Sequence, residues 1–217
     1  MDTKELSCID CGTKACRGTG GSFPDFCLTA NLNPDLLQES LNVLSGADNN
    51  LAVASAVNES DSYRSRCRIE EIMHLAQLMC MRKLGIATCT GLLNESRQLA
   101  RIFRAHGYEV YGVACKCGSI NKTTIGAPEK CLAVGPNLCN PVLQALILNQ
   151  HETELNVVVG LCVGHDSLFY KYSYAYVTTL ISKDRLLCHN PVAPLYQLDG
   201  YWNRLLKEDP YTDMECF

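Results

Sequence analysis

No stretch of this chain concentrates basic residues, and its 19 lysines and arginines are outnumbered by 23 aspartates and glutamates, for a formal net charge of -4. That balance gives no reason to expect a nucleic-acid partner, whose phosphates are met by clustered cations. No run of roughly 18 uncharged apolar residues occurs, so no helical membrane span is expected. The opening Met1-Asp-Thr-Lys-Glu-Leu6 has no apolar stretch of the kind a secretion signal needs. The expectation is therefore a cytoplasmic protein without a membrane partner. Glycine-rich phosphate fingerprints of the G-x-G-x-x-G or G-x-x-x-x-G-K-[ST] type are missing too, so a nucleotide cofactor is not expected.

What is present is an ordinary globular composition, 47% hydrophobic and 19% charged over 217 residues, together with 14 cysteines. Without a secretion signal, so many cysteines read as reduced thiols serving metal, redox or packing roles rather than as a disulfide framework. Residues 1–34 carry Cys8, Cys11, Cys16 and Cys27 with glycine and proline but no hydrophobic periodicity. Four soft ligands in a segment with no core of its own suit tetrahedral zinc or an iron-sulfur cluster, and the Cys8-x2-Cys11-x4-Cys16 spacing does not choose between them.

Residues 35–217 read as a helical linker followed by an α/β domain. Leu36, Leu37, Leu41 and Leu44 share a helix face after Pro34, and a second helix is expected near Leu51 to Val57. A longer helix follows, with Ile69, Ile72, Met73, Ala76, Met79 and Cys80 along one stripe and Gly85 as its stop. Strands are expected at Gly85 to Gly91, Tyr108 to Cys115, Leu155 to Cys162 and Ala175 to Ile181. Helices are expected along Leu92 to Phe103, ended by Gly107, and from Asn140-Pro141 to about Asn149, with Asn as N-cap and Pro first in the helix. Asn190-Pro191 opens a last short helix, and the tyrosine-rich run Phe169 to Tyr176 reads as a packed amphipathic edge. This β-α-β-α-β-α-β alternation predicts a Rossmann-like open, mostly parallel sheet of about four strands with flanking helices.

In such sheets a ligand sits beyond the carboxyl ends of the strands. There stand Cys89, Cys115 with Cys117, Cys162 with His165 and Asp166, and the Lys183-Asp184-Arg185 run, while Cys139 precedes a capped helix start that favours a thiolate. A cysteine in a buried strand is most often a small hydrophobe. Convergence from separate elements nonetheless singles out Cys115, Cys139 and Cys162 as a three-thiolate site, with Cys117, Cys89 and His165 as completions. His165, Asp166, Lys183, Asp184, Arg185 and His189 are the candidates for catalytic or substrate-binding work, although turns and caps use the same residue types. Cys67, Cys131, Cys188 and Cys216 have no evident partner.

Taken in order, the Cys8/Cys11/Cys16/Cys27 set, Cys115-Lys116, Cys139-Asn140-Pro141, Gly160-Leu-Cys-Val-Gly-His-Asp166, and Lys183-Asp-Arg185 with His189-Asn-Pro191 resemble a family of prokaryotic predicted metal-binding proteins. That family is catalogued as domain of unknown function 1847, and the resemblance runs over nearly the whole chain. It implies metal binding without supplying a reaction, and Cys89 and Cys117 lie outside its blocks. The expectation is an iron-sulfur or other thiolate-metal protein with a redox or sulfur-handling activity, served by an electron donor or a small-molecule substrate. The alternative is a non-catalytic zinc sensor, carrier or scaffold.

Overall fold

The computed structural model describes residues 5–207, so Cys216 lies outside the described residues. The chain divides into two compact units between Val57 and Asn58. In the first unit, turns of 3₁₀ helix at Cys8–Asp10 and Ala15–Arg17 precede α1 (Pro34–Leu44), and α2 (Asn49–Ser62) carries the division between the units. Asn33 caps α1 by accepting the Asp35 N–H at 2.9 Å, with Pro34 at the first helical position. Among the described residues before Asn58, only Ala15 and Ala54 are buried, so hydrophobic burial supplies this unit with little of its order.

The second unit holds α3 (Arg68–Leu78), β1 (Lys83–Thr88), α4 (Leu93–Ala105), β2 (Glu109–Ala114), α5 (Pro141–Gln150), β3 (Leu155–Val159), α6 (His165–Tyr172) and β4 (Tyr176–Ile181). The four strands form one parallel sheet in the order β2-β1-β3-β4. One face packs on α3 and α4 through Leu84, Ile86, Leu155 and Val157 against Ile72, Ala76, Leu99 and Phe103. The other packs on α5 and α6 through Ala87, Val113 and Val158 against Ala145, Leu148 and Phe169. Because the chain builds outward from β1 to β2 and then crosses to β3, the connections diverge between β1 and β3. That switch point is where open parallel sheets leave a crevice at their carboxyl edge.

Several local details depart from the sequence reading. Cys80 is not part of the α3 core stripe: it is exposed, in the left-handed region at φ 56°. The Cys80 N–H donates to the Gln77 carbonyl at 3.0 Å and the Met81 N–H to the Ala76 carbonyl at 2.8 Å, the paired closure of a helix end that normally places glycine where Cys80 stands. Gly85, expected as the stop, lies inside β1, where an added Cβ would come within 1.9 Å of the Asn156 Oδ1. Asn156 is buried and bonded to Thr153 and Ser173, so the glycine makes room for a polar crosslink across the sheet. The link between β3 and β4 contains α6. Among the described residues no α-helix follows Asn190-Pro191, only 3₁₀ turns at Ala193–Gln197 and Asn203–Leu206.

Replacing Cys80 with glycine removes the steric cost of a side chain in the left-handed region, so the expected result is a gain of about 1 kcal/mol in stability. Denaturant unfolding of the two proteins checks this, and an unchanged or lower midpoint would show that Cys80 earns its place by another contact.

Candidate functional site

Three strand ends and one helix start deliver thiols to the crevice. Cys89 follows β1, where its N–H donates to the Val159 carbonyl of β3 at 3.1 Å. Cys115 follows β2, buried, with its N–H on the Thr88 carbonyl at 2.8 Å. Cys139 directly precedes Asn140, which caps α5 by accepting the Leu143 N–H at 2.9 Å. Cys162 stands three residues past the end of β3, and its carbonyl accepts the N–H groups of His165 and Asp166 at the start of α6. Gln144 ties the first two ends together, donating to the Thr88 carbonyl at 3.1 Å and the Val113 carbonyl at 2.6 Å. Its Oε1 is buried and lacks a donor among the described residues.

The Cys115 thiol lies beside both Cys89 and Cys139, and the three thiols act on one another's ionisation. Backbone and cationic donors surround the trio. The Thr90 N–H reaches the Cys115 Sγ at 3.4 Å and the Gly91 N–H reaches the Cys89 Sγ at 3.4 Å. Lys183 favours the Cys89 thiolate, and His165 and Lys116 favour that of Cys139, while the Lys116 ammonium donates to the Asn137 carbonyl. Arg185 donates from Nη2 to the Cys162 Sγ at 3.1 Å, and its charge is felt at Cys89 and Cys139 as well. At Gly160 the backbone has φ 67°, and an added Cβ would fall 2.1 Å from the Leu92 Cδ1 and 3.7 Å from the Lys183 Nζ. Only glycine lets β3 turn away there beneath the lysine.

This arrangement splits the thiols into two kinds. The hydrogen bond from Cys115 is the largest influence on both outer thiols. With help from the Gly91 amide and Lys183 it brings Cys89 down to about 4, and with help from His165 and Lys116 it brings Cys139 down to about 3, in each case against the effect of burial. Cys115 is pushed far above the usual thiol range because its proton bridges Cys139 and Cys89, with burial adding to the effect. The ionised form is thus favoured at Cys89 and Cys139 and disfavoured at Cys115. Among the described residues no group of three or more His, Cys, Asp or Glu stands in a metal-ligating arrangement.

Of the residues singled out from sequence, Cys115 and Cys139 meet directly, and Cys162 joins them through Arg185. Cys89, outside the recognisable blocks, touches Cys115 and so belongs to the centre of the cluster. Its signal was its place at the end of the central strand. Cys117 is exposed in the turn after β2, its N–H on the Ala114 carbonyl at 3.0 Å. Asp166 accepts the Ser167 N–H at 2.8 Å, and Asp184 accepts the Leu186 and Leu187 N–H groups while its own N–H donates to His189 Nδ1 at 3.1 Å. Asp166, Asp184 and His189 thus shape turns, whereas His165, Lys183 and Arg185 face the thiols. Sequence reasoning missed Lys116 as a thiolate partner. In the first unit the Cys11 thiol lies 3.6 Å from the Thr13 hydroxyl and is held below the usual range, first by the Lys14 backbone amide and then by Thr13. Cys8 and Cys16 are exposed and Cys27 is half-buried.

With this geometry in view, the comparisons with known proteins can be placed on the chain. The profile of a protein family of unknown function, DUF1847, matches residues 27–180. The chain belongs to this family. An uncharacterized protein of Methanocaldococcus jannaschii is 39% identical over 192 residues, covering 88% of this chain and 94% of its own length. No solved structure matches. The DUF1847 match takes in Cys27, Cys89, Cys115, Cys139, Cys162 and His165, and it ends before Lys183 and Arg185. Among the described residues no helix is long and apolar enough to cross a membrane.

In the reduced, metal-free protein, Cys89 and Cys139 should alkylate with iodoacetamide near pH 6, where an ordinary thiol is protonated, while Cys115 stays unmodified to well above pH 9. The same shifts set the pH dependence of stability. Between about pH 4 and 9 the unfolded chain holds protons on Cys89 and Cys139 that the folded chain has shed, so these two contribute stability that grows as the pH rises through that window and is lost as it falls toward 4. Cys115 works in the opposite sense, contributing below pH 9 and losing its contribution above it. Mass-resolved alkylation across pH checks the assignment, and uniform labelling of all three thiols only above pH 8 would refute it.

Proposed function

We propose that the chain is a thiolate-metal protein whose switch-point crevice holds an iron-sulfur cluster and supports redox or sulfur-handling chemistry. The observation that carries this reading is the contact of Cys115 with both Cys89 and Cys139 beneath a ring of N–H and cationic donors. The donor set suits a soft, thiophilic group, since thiolates select clusters and zinc over hard cations. Cys89, Cys115 and Cys139 would hold the cluster, and Cys162 with Arg185 would border the position left open. Binding requires the Cys115 proton to leave, and Lys116, Lys183 and Arg185 offset the negative charge that then accumulates. Donors to sulfur raise a cluster's potential, which fits an iron-sulfur group better than a closed structural zinc. The bound cluster would supply electron transfer or an open iron for a small substrate. His165, on the Cys139 side, is placed to hold or pass a proton there.

For the first unit, Cys8, Cys11, Cys16 and Cys27 would hold a second metal that gives the segment the order burial does not. Replacing Cys11 and Cys16 by serine should leave residues 5–57 protease-sensitive while the α/β unit persists. A double variant with full resistance and full metal content would remove this site.

Anaerobic purification with iron, zinc and acid-labile sulfide analysis tests the main reading. Brown protein with iron and sulfide, whose crevice share is lost on Cys115→Ser, is the expected result. Colourless protein holding zinc would replace the cluster with a zinc carrier or scaffold role, and protein holding neither would end the metal reading.

A further inference from the structure

A second feature lies on the sheet face that α4 covers. Between α4 and the outer strand β2 runs a groove of about 490 Å³, a size ordinary for a small-molecule site. Ile86, Val110 and Gly112 lie along its floor and Arg97, Arg101 and Arg104 along its wall. These arginines recur at four and three residue steps and so share one helix face, in a protein whose net charge is -4. None of the described lining residues is acidic. Among the described residues each guanidinium bonds only a neutral acceptor: Arg97 the Asn94 Oδ1 at 2.6 Å, Arg101 the Gln98 Oε1 at 2.8 Å, and Arg104 the Val110 carbonyl at 3.1 Å. The remaining donors of all three are free for an anion.

Gly112 points the same way. It sits inside β2, where glycine weakens a strand. Its fold does not demand it: an added Cβ would meet the Ile86 carbonyl oxygen and Cβ at 3.7 and 3.8 Å, ordinary contact distances, and its φ is not in the left-handed region. What the missing side chain leaves is an open floor.

We infer that the groove between α4 and β2 is a binding site for a soluble amphipathic anion, with an apolar body on the Ile86–Val110–Gly112 floor and a phosphate or carboxylate head on Arg97, Arg101 and Arg104. Arginine pairs such heads through two parallel N–H donors, and the arginine stems cover the apolar body beside them. No thiol lines the groove, so the site is independent of any metal in the crevice.

Calorimetric titration of the full chain with decyl phosphate, kept below its micellar concentration, tests this, with decanoate as the carboxylate arm. Saturable binding to at least one of the two is expected, and tighter binding of one names the head group. Inorganic phosphate and decanol should each bind about tenfold or more weakly, because each offers half of the match. Gly112→Val fills the floor with a residue strands favour and should weaken binding about tenfold or more without lowering the melting temperature. Arg97→Gln with Arg101→Gln should do the same through the head group, and it decides the matter if the valine variant fails to fold. No binding of either amphiphile, equal binding by both variants, inorganic phosphate matching the amphiphiles, or binding to anionic vesicles alone would overturn the site.

Discussion

The Thr88 carbonyl is the point on which the crevice depends. It accepts the Cys115 N–H at 2.8 Å and the Gln144 Nε2–H at 3.1 Å, so one acceptor at the end of β1 fixes the end of β2 and the first turn of α5. Cys89, Cys115 and Cys139 are adjacent to those three fixed points. A buried carbonyl left without donors is costly, and two donors from separate elements make the closure of the sheet and the assembly of the thiols one event. Loss of Gln144 would leave the pairing of β1 with β2 in place, with the Asn140 N–H on the Cys115 carbonyl at 2.8 Å as a remaining tie between the α5 start and the end of β2.

Much of this was readable from residue order. The periodicity of α4, the Asn140-Pro141 start of α5 and the apolar strands give the parallel sheet, because each is a local rule applied to a local pattern. The errors share a cause. Gly85 looked like a helix stop since glycine is the usual left-handed residue, yet Cys80 takes that conformation and Gly85 answers instead to Asn156, which is 71 residues away in sequence. The α6 helix was hidden because His165-Asp-Ser-Leu-Phe-Tyr-Lys-Tyr172 buries one residue fully, Phe169, and so shows little periodicity. For the site, position at a strand end was the productive signal, and the family blocks were the weaker guide: Cys89 is central without belonging to them. What no local pattern carries is which turn residue faces the crevice. Lys183 and Arg185 face thiols while Asp184 between them closes a turn with His189.

The two units solve the problem of order differently. The α/β unit buries two apolar layers against its sheet, and its polar interior includes the bonded pair Asn156 and Thr153 and Gln144, whose Nε2 is bonded and whose Oε1 has no donor among the described residues. The first unit has helices with almost nothing beneath them, and Leu36, Leu37, Leu41 and Leu44 of α1 all remain exposed. Chain entropy costs about 1–2 kcal/mol for each ordered residue, which two buried alanines cannot offset. The metal proposed for Cys8, Cys11, Cys16 and Cys27 would supply order that needs little buried area.

Charge explains how one sheet can carry two different sites. At the carboxyl edge the cations answer thiolates: Lys116, Lys183 and Arg185 are committed to sulfur, and the Thr90 and Gly91 amides add partial positive charge. Along α4 the arginines bond no sulfur or carboxylate among the described residues, and no acidic residue is among those described as lining the groove. A positive field spent locally on thiolates stabilises the anionic form of the crevice without attracting further anions, whereas an unspent one draws them. The carboxyl half of β2 and the residue after it embody that difference. Cys115 closes the strand inside a neutralised cluster, and Gly112, three residues before it, opens the floor of a groove whose charge is still uncompensated.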